Sequence, residues 1–157
     1  PGLCLNRHAR PGDRYLPVDV AGVSVDLFRL DRDNDHFCFG FSDRPGDVQW
    51  RLPAFAPLEV DAQGLARLDR DCAQACLRAL YGPGWRVPDP YFSSATQSPA
   101  LYGTDLHVRA YYAAHRARNA LLLGNSAKAW HLICASPLPI PLSRSRFEAL
   151  WGKGPSG

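Results

Sequence analysis

Two short apolar segments on either side of Ala21-Gly22 constrain the fold of this chain most strongly. Residues 16–20 (LPVDV) and 23–30 (VSVDLFRL) are rich in β-branched and apolar side chains that alternate with other residues. Glycine tolerates the backbone angles of a tight turn, and β-branched residues favour strands. The segment 16–30 is therefore predicted to form a two-stranded antiparallel hairpin.

Asp26 lies in the middle of the second predicted strand, between Val25 and Leu27. Side chains alternate between the two faces of a strand, so this carboxylate faces away from its two apolar neighbours. Burying an ionised carboxylate in an apolar strand is costly unless a cation lies against it. A metal ion or an arginine would serve, and Asp26 is therefore the first candidate for a functional residue.

The rest of the chain predicts an α+β fold. We expect a small, mostly antiparallel sheet made of the hairpin 16–30 and a strand at 36–41, with an acidic turn at 31–35 between them. A helical pattern then runs from Asp69 to Gly82-Pro83, with Asp69 or Asp71 as its cap. Further helical patterns run from Thr104 as cap to Leu123, over 126–134, and over 145–151. The helices of residues 104–136 are expected to form an antiparallel C-terminal hairpin, joined by a short turn at Gly124-Asn125.

Composition excludes several classes of protein. With 157 residues, 46% of them hydrophobic and 21% charged, the chain is globular, and no apolar run approaches the length of a membrane span. The net charge of +3 comes from scattered side chains, so no nucleic-acid partner is expected. Five irregularly spaced cysteines argue against a disulfide framework and favour a cytoplasmic location. Cys72 and Cys76 would share one helix face, where packing is expected rather than a metal site.

The segment 81–92 (YGPGWRVPDPYF) is predicted to be an aromatic loop. Its three prolines and two glycines exclude regular structure, yet it contains four aromatic residues. Such a loop either packs back on the domain through Trp85 and Tyr91 or contacts a ligand, and the sequence leaves both possibilities open.

Three stretches together resemble the LicD and fukutin-related phosphotransferases. They are VAGVSVDLFRL, LPAFAPLEVDAQG and LRALYGPGWRVPDPYF, within about residues 15–92, roughly half of the chain. In that family a strand reading apolar, Asp, apolar, aromatic precedes a short apolar segment. A helix then follows and is closed by Tyr-Gly or Phe-Gly, a Trp or similar residue, and Pro. The resemblance divides the chain into a LicD-like portion at 1–92, a helical extension at 93–151 and a flexible tail at 152–157.

The resemblance implies a nucleotidyltransferase-like fold and a specific reaction. Members of the family move a phospho-alcohol, such as phosphocholine or ribitol phosphate, from a CDP-linked donor to a glycan hydroxyl. Carboxylates hold Mg²⁺ against the diphosphate, two of them in an upstream Asp-x-Asp motif and a third on a later strand. Asp26 takes the third position and is the expected metal ligand and catalytic residue. Expected substrate contacts are Arg29, Tyr81, Trp85 and Arg86, the two arginines because a diphosphate favours guanidinium groups.

The chain departs from the family in one respect. No Asp-x-Asp motif follows a Gly-rich turn before Asp26, and Asp13 and Asp19 are not spaced for it. The chain has no Met, so we expect it to be the C-terminal portion of a longer protein. Because it lacks the Asp-x-Asp pair, we expect it to be inactive on its own. Two alternatives remain. One is another nucleotidyltransferase-fold enzyme. The other is a non-catalytic α+β module whose helices at 104–136 bind a protein partner, with Asp26 paired to an arginine.

Overall fold

The computed structural model describes residues 3–5, 10–56, 58–60, 62–63 and 66–151. The strands are β1 (Leu3–Leu5), β2 (Tyr15–Val20), β3 (Val23–Phe28), β4 (Asp31–Asp33), β5 (His36–Gly40), β6 (Gln49–Pro53), β7 (Glu59–Val60) and β8 (Ala66–Arg67). The helices are α1 (Arg70–Tyr81), α2 (Ser94–Gln97), α3 (Leu106–Leu122), α4 (Ser126–Cys134) and α5 (Arg144–Trp151). The fold is α+β, as the sequence predicts.

These elements form two compact units. The first contains the described residues up to Trp85 together with Pro99–Thr104, and therefore all the strands and α1. The second contains Arg86–Ser98 and the described residues from Asp105 onward, with α2 to α5. The tail predicted at 152–157 lies outside the described residues.

The predicted hairpin is present as β2 and β3. Ala21 and Gly22 both have positive φ, 54° and 81°, as a two-residue turn between antiparallel strands requires. Val18 lies opposite Val25, and β1 pairs with the other edge of β2. The sheet order is therefore β1-β2-β3.

The strand predicted at 36–41 belongs to a second sheet of order β4-β5-β6 rather than to the hairpin's sheet. Asp31–Asp33, predicted as part of an acidic turn, forms β4, and the turn narrows to residues 34–35 with Asn34 at a φ of 52°. β5 consequently folds back on β4 and then pairs with β6. The alternating Phe residues were sufficient to predict a strand but not its partner.

An aromatic cluster forms much of the interior of the first unit. Phe28 from the hairpin contacts Phe39 and Trp50 of the second sheet, with ring centroids 5.5 and 6.1 Å apart. Trp50 also packs against Phe39 at 5.2 Å and Phe41 at 5.3 Å, and is only 3% exposed. Since these rings come from both three-stranded sheets, the cluster joins the sheets to each other.

Helix α1 begins and ends as predicted. The side chain of Asp69 accepts a hydrogen bond from the Cys72 backbone N–H at 2.9 Å, and Gly82 ends the helix with a φ of 81°. The hydrogen bond from Cys72 lowers the pKa of Asp69 below its ordinary value. Cys76 is buried, and burial raises the pKa of its thiol, so this cysteine packs as a small apolar residue.

Removing the cap of α1 should destabilise the first unit. Asp69→Ala is expected to lower the free energy of unfolding by about 1 kcal/mol, because the Cys72 amide loses its acceptor. Asp69→Ser should restore most of this loss, whereas Asp71→Ala, in the first turn of the helix, should cost less than Asp69→Ala. Urea unfolding followed by far-UV circular dichroism measures all three. Equal losses for Asp69→Ala and Asp71→Ala would contradict a specific capping role.

Asp105, not the predicted Thr104, caps helix α3. The Asp105 side chain accepts from the His107 backbone N–H at 2.6 Å. The Thr104 hydroxyl instead accepts from the Gln49 backbone N–H at 3.1 Å. Thr104 therefore pairs the first backbone N–H of β6. Adjacent Thr and Asp residues are both good caps, and tertiary contacts decide between them.

Helices α3 and α4 share the core of the second unit. The buried members of this core are Ala117, Ala120, Ala129, Leu132 and Phe147. Its alanines allow close approach of the helices, while Phe147 of α5 packs against Trp130 with ring centroids 5.3 Å apart. Three residues, 123–125, join α3 to α4. The antiparallel direction of this pair stays a prediction.

No helix in the described part of the chain is both long and apolar enough to cross a membrane.

Candidate functional site

Asp26 lies on an exposed edge of the first sheet. β3 pairs with β2 on one side and with no other described strand, and every residue from Val23 to Leu27 is exposed. The expectation that Asp26 is buried among apolar neighbours is therefore wrong, since alternation along a strand does not reveal what covers its faces. An exposed carboxylate needs no cation to offset a burial cost.

No hydrogen bond or ion pair from another described residue reaches the Asp26 carboxylate, which lies opposite Pro17 in the hairpin. Asp19, the nearest acidic residue of β2, accepts from the Gly22 N–H of the turn at 2.8 Å. Within the described ranges, no three His, Cys, Asp or Glu residues are grouped so that they could hold a metal ion. These residues alone do not fit the expected Mg²⁺ site, to which Asp26 would contribute a single ligand.

Arg29 follows β3 directly and lies opposite Arg14, whose carbonyl oxygen accepts from the Arg29 N–H at 2.9 Å. Like charges at facing positions of a hairpin repel each other. Here the carboxylate of Asp31 lies against both guanidinium groups. Arg29 Nε is 3.0 Å from Asp31 Oδ1, and Arg14 Nη2 donates to Asp31 Oδ2. The single negative charge of Asp31 thus neutralises one of the two positive charges of Arg14 and Arg29.

A shallow cavity of about 280 Å³ lies at this end of the hairpin. It is lined by Asp13, Arg14, Tyr15, Leu16, Leu27, Phe28 and Arg29. Asp26 is not a lining residue, although its neighbour Leu27 is. The Arg29 side chain is 61% exposed, so an anion that enters the cavity would meet its guanidinium group.

The two arginines lower the pKa of Asp31. Partial burial would raise this pKa, but the hydrogen bonds and charges of Arg29 and Arg14 outweigh it, and the pKa lies below its ordinary value of 3.8. A lowered pKa in the folded state means that the unfolded chain binds a proton first as the pH falls. The stabilisation is therefore present above about pH 4 and is lost as the pH falls through the lowered pKa.

Asp31→Asn should accordingly destabilise the first unit in a pH-dependent way. At pH 7 we expect a loss of about 1 kcal/mol or less, because the ion pairs are partly exposed to solvent. The difference from the natural protein should shrink below about pH 4, where protonation removes the same charge. Thermal unfolding between pH 3 and 7 measures this, with Asp35→Asn in the neighbouring turn as control. A difference that does not depend on pH would contradict the ion-pair explanation.

The other predicted contact residues lie at the end of α1 and in the loop that follows it. Tyr81 is the last residue of α1 and is 48% exposed, and Trp85, in the loop that follows, is half-buried. Arg86 is exposed and belongs to the second unit. The loop is irregular, as predicted, and the half-buried Trp85 ring leaves both of its predicted roles open.

Arg14 and Asp31 were not predicted as site residues. The signal for Arg14 was available, because counting outward from the Ala21-Gly22 turn pairs position 14 with position 29. Asp31 was assigned to a turn, and only the second sheet places it against both arginines.

Compared with family models, curated proteins and solved structures, the chain shows no match. The likeness to the LicD family therefore depends on the short motifs given above.

Proposed function

We propose that this chain is part of a metal-dependent phosphotransferase of the LicD type. Its reaction would move a phospho-alcohol, of the phosphocholine or ribitol phosphate kind, from a CDP-linked donor to a glycan hydroxyl. The observation that carries the proposal is the order of structural elements. A strand with an open carboxylate at Asp26 precedes the short strand β7 and the helix α1, which ends at Tyr81-Gly82 and leads into the Trp85 loop. The three family motifs fall on these elements in the same order.

The proposed roles follow from chemistry and exposure. Asp26 offers two carboxylate oxygens to solvent and would be one ligand of the metal that, in this family, offsets the charge developing on CMP as it leaves the donor's diphosphate. Arg29 and Arg86 are exposed guanidinium groups that suit the diphosphate, and Tyr81 and Trp85 offer aromatic surface to the substrates. The family's Asp-x-Asp pair has no counterpart before Asp26, so we propose that this chain is inactive alone. A cytoplasmic location is part of the proposal.

Calorimetric titration of the natural gene product tests the proposal. We expect one of CDP-choline, CDP-ribitol and CDP-glycerol to bind in the presence of Mg²⁺ and to bind more weakly after EDTA treatment. A nucleoside triphosphate provides the comparison for the alternative nucleotidyltransferase. Binding and turnover of the triphosphate, with release of diphosphate, would favour that enzyme instead. Binding of none of these compounds would overturn both.

A protein-interaction module is the second candidate, because α3 exposes apolar surface. Leu106 and Tyr111 are 49% and 62% exposed, and Leu122 and Leu123 at the end of the helix are 71% and 85% exposed. Large exposed apolar side chains are common at sites of protein association. The titration separates the two candidates, since an interaction module would bind no CDP-linked compound.

A further inference from the structure

A second cavity, of about 370 Å³, lies within the second unit. It is lined by Phe92, Ser93, Arg116, Asn119, Ala120, Leu123, Asn125, Lys128 and Leu132. This lining has two cationic side chains, two amides and a hydroxyl, and none of the nine residues is acidic. Its charge therefore favours an anionic ligand.

Two polar atoms of the lining residues are buried without a hydrogen-bond partner among the described residues. They are the hydroxyl oxygen of Ser93, a residue only 3% exposed, and Nε of Arg116. Buried polar groups are nearly always paired in folded proteins, because an unpaired one keeps its full desolvation penalty. Both residues line the cavity, so this part of the second unit has polar groups that the described residues leave unpaired.

Lys128 provides the second positive charge. It lies in the first turn of α4, where its backbone N–H donates to the Asn125 side chain at 2.9 Å. Its ammonium group donates to the carbonyl oxygen of Pro90 at 3.0 Å, which uses one of its three N–H groups. The positive end of the nine-residue helix α4 adds to the attraction for an anion.

We infer that this cavity binds a small organic phosphate, a phosphate monoester of a polyol or sugar. The phosphate would lie between Arg116 and Lys128, and the hydroxyl groups of the organic part would meet the side-chain amides of Asn119 and Asn125. Ligand cavities commonly range from about 300 to 1,000 Å³, so a volume near the lower limit suits a single phosphorylated polyol. The inference does not rest on the proposed transferase activity, whose predicted residues lie outside this cavity.

The experiment uses glycerol 3-phosphate as probe, with glycerol and inorganic phosphate as comparisons, in calorimetric titrations at constant ionic strength. We expect the natural protein to bind glycerol 3-phosphate, to bind inorganic phosphate more weakly, and to bind glycerol not at all. Arg116→Gln and Lys128→Gln should each weaken binding by about tenfold or more, because each removes a charge-assisted hydrogen bond. Arg118→Gln is the matched control, since Arg118 is exposed on the same helix and does not line the cavity.

Several outcomes would overturn the inference. Failure of the natural protein to bind the probe at millimolar concentration is one, and an equal loss in Arg118→Gln is another, since it would indicate a general charge effect. Affinity for inorganic phosphate equal to that for glycerol 3-phosphate would exclude an organic ligand. Circular dichroism checks that the variants fold. If Arg116→Gln unfolds, Lys128→Gln, at a half-buried position on a different helix, decides the question.

Discussion

Asp26→Asn is expected to abolish the proposed phospho-alcohol transfer by the natural gene product and to leave its thermal unfolding midpoint unchanged. The amide has nearly the shape of the carboxylate but lacks the charge that a divalent metal requires. Because Asp26 is exposed and makes no hydrogen bond or ion pair with another described residue, folding should not depend on it. We expect the rate to fall by more than about a hundredfold, since changes to groups that only support a metal ligand already reach that size.

Asp19→Asn in the same hairpin is the matched control for Asp26→Asn. Asp19 accepts a hydrogen bond from the Gly22 N–H, and an asparagine side chain can accept the same bond. This variant should keep both its activity and its unfolding midpoint. Retained transfer in Asp26→Asn would remove Asp26 from the site. Equal losses in the two variants would indicate that the hairpin, rather than one carboxylate, matters for transfer.

Local signals predicted the hairpin and the four longest helices, but not β1, β4, β6, β8 or α2. Ala21-Gly22 located the hairpin turn, and Asp69 and Gly82 marked the two ends of α1. These signals act through backbone angles and hydrogen bonds between residues close in the chain, which a sequence shows directly. The assignment of β5 to a second sheet could not be seen this way, because it depends on whether Asp31–Asp33 pairs with the chain that follows it.

The surroundings of the candidate residues were less predictable, because they also depend on contacts between residues distant in the chain. Alternation along β3 placed Asp26 on the face opposite Val25, but it could not show that both faces of this strand are exposed. The cavity that includes Ser93, Arg116 and Lys128 draws its lining from three separate segments of the second unit. Such sites depend on tertiary packing between residues distant in the chain, which a single sequence does not reveal.

Trp50→Ala should produce the largest loss of stability in the first unit, about 3 to 5 kcal/mol. Trp50 is 3% exposed, and its ring contacts Phe28, Phe39 and Phe41 from both three-stranded sheets. Its removal deletes buried apolar area and leaves a cavity where the sheets meet, which the surrounding rings can fill only in part. Urea unfolding should show a lower midpoint with an unchanged slope, because the folded and unfolded states keep their difference in exposed surface.

Trp85→Ala tests whether burial in the cluster, rather than the loss of any tryptophan, causes the effect of Trp50→Ala. Trp85 belongs to the same unit but is only half-buried, so the same substitution removes less buried surface and should destabilise less. Equal losses at the two positions would show that the aromatic cluster has no special role in joining the sheets. If Trp85→Ala weakened binding of a CDP-linked donor at an unchanged midpoint, the ring at that position would contact ligand rather than support the fold.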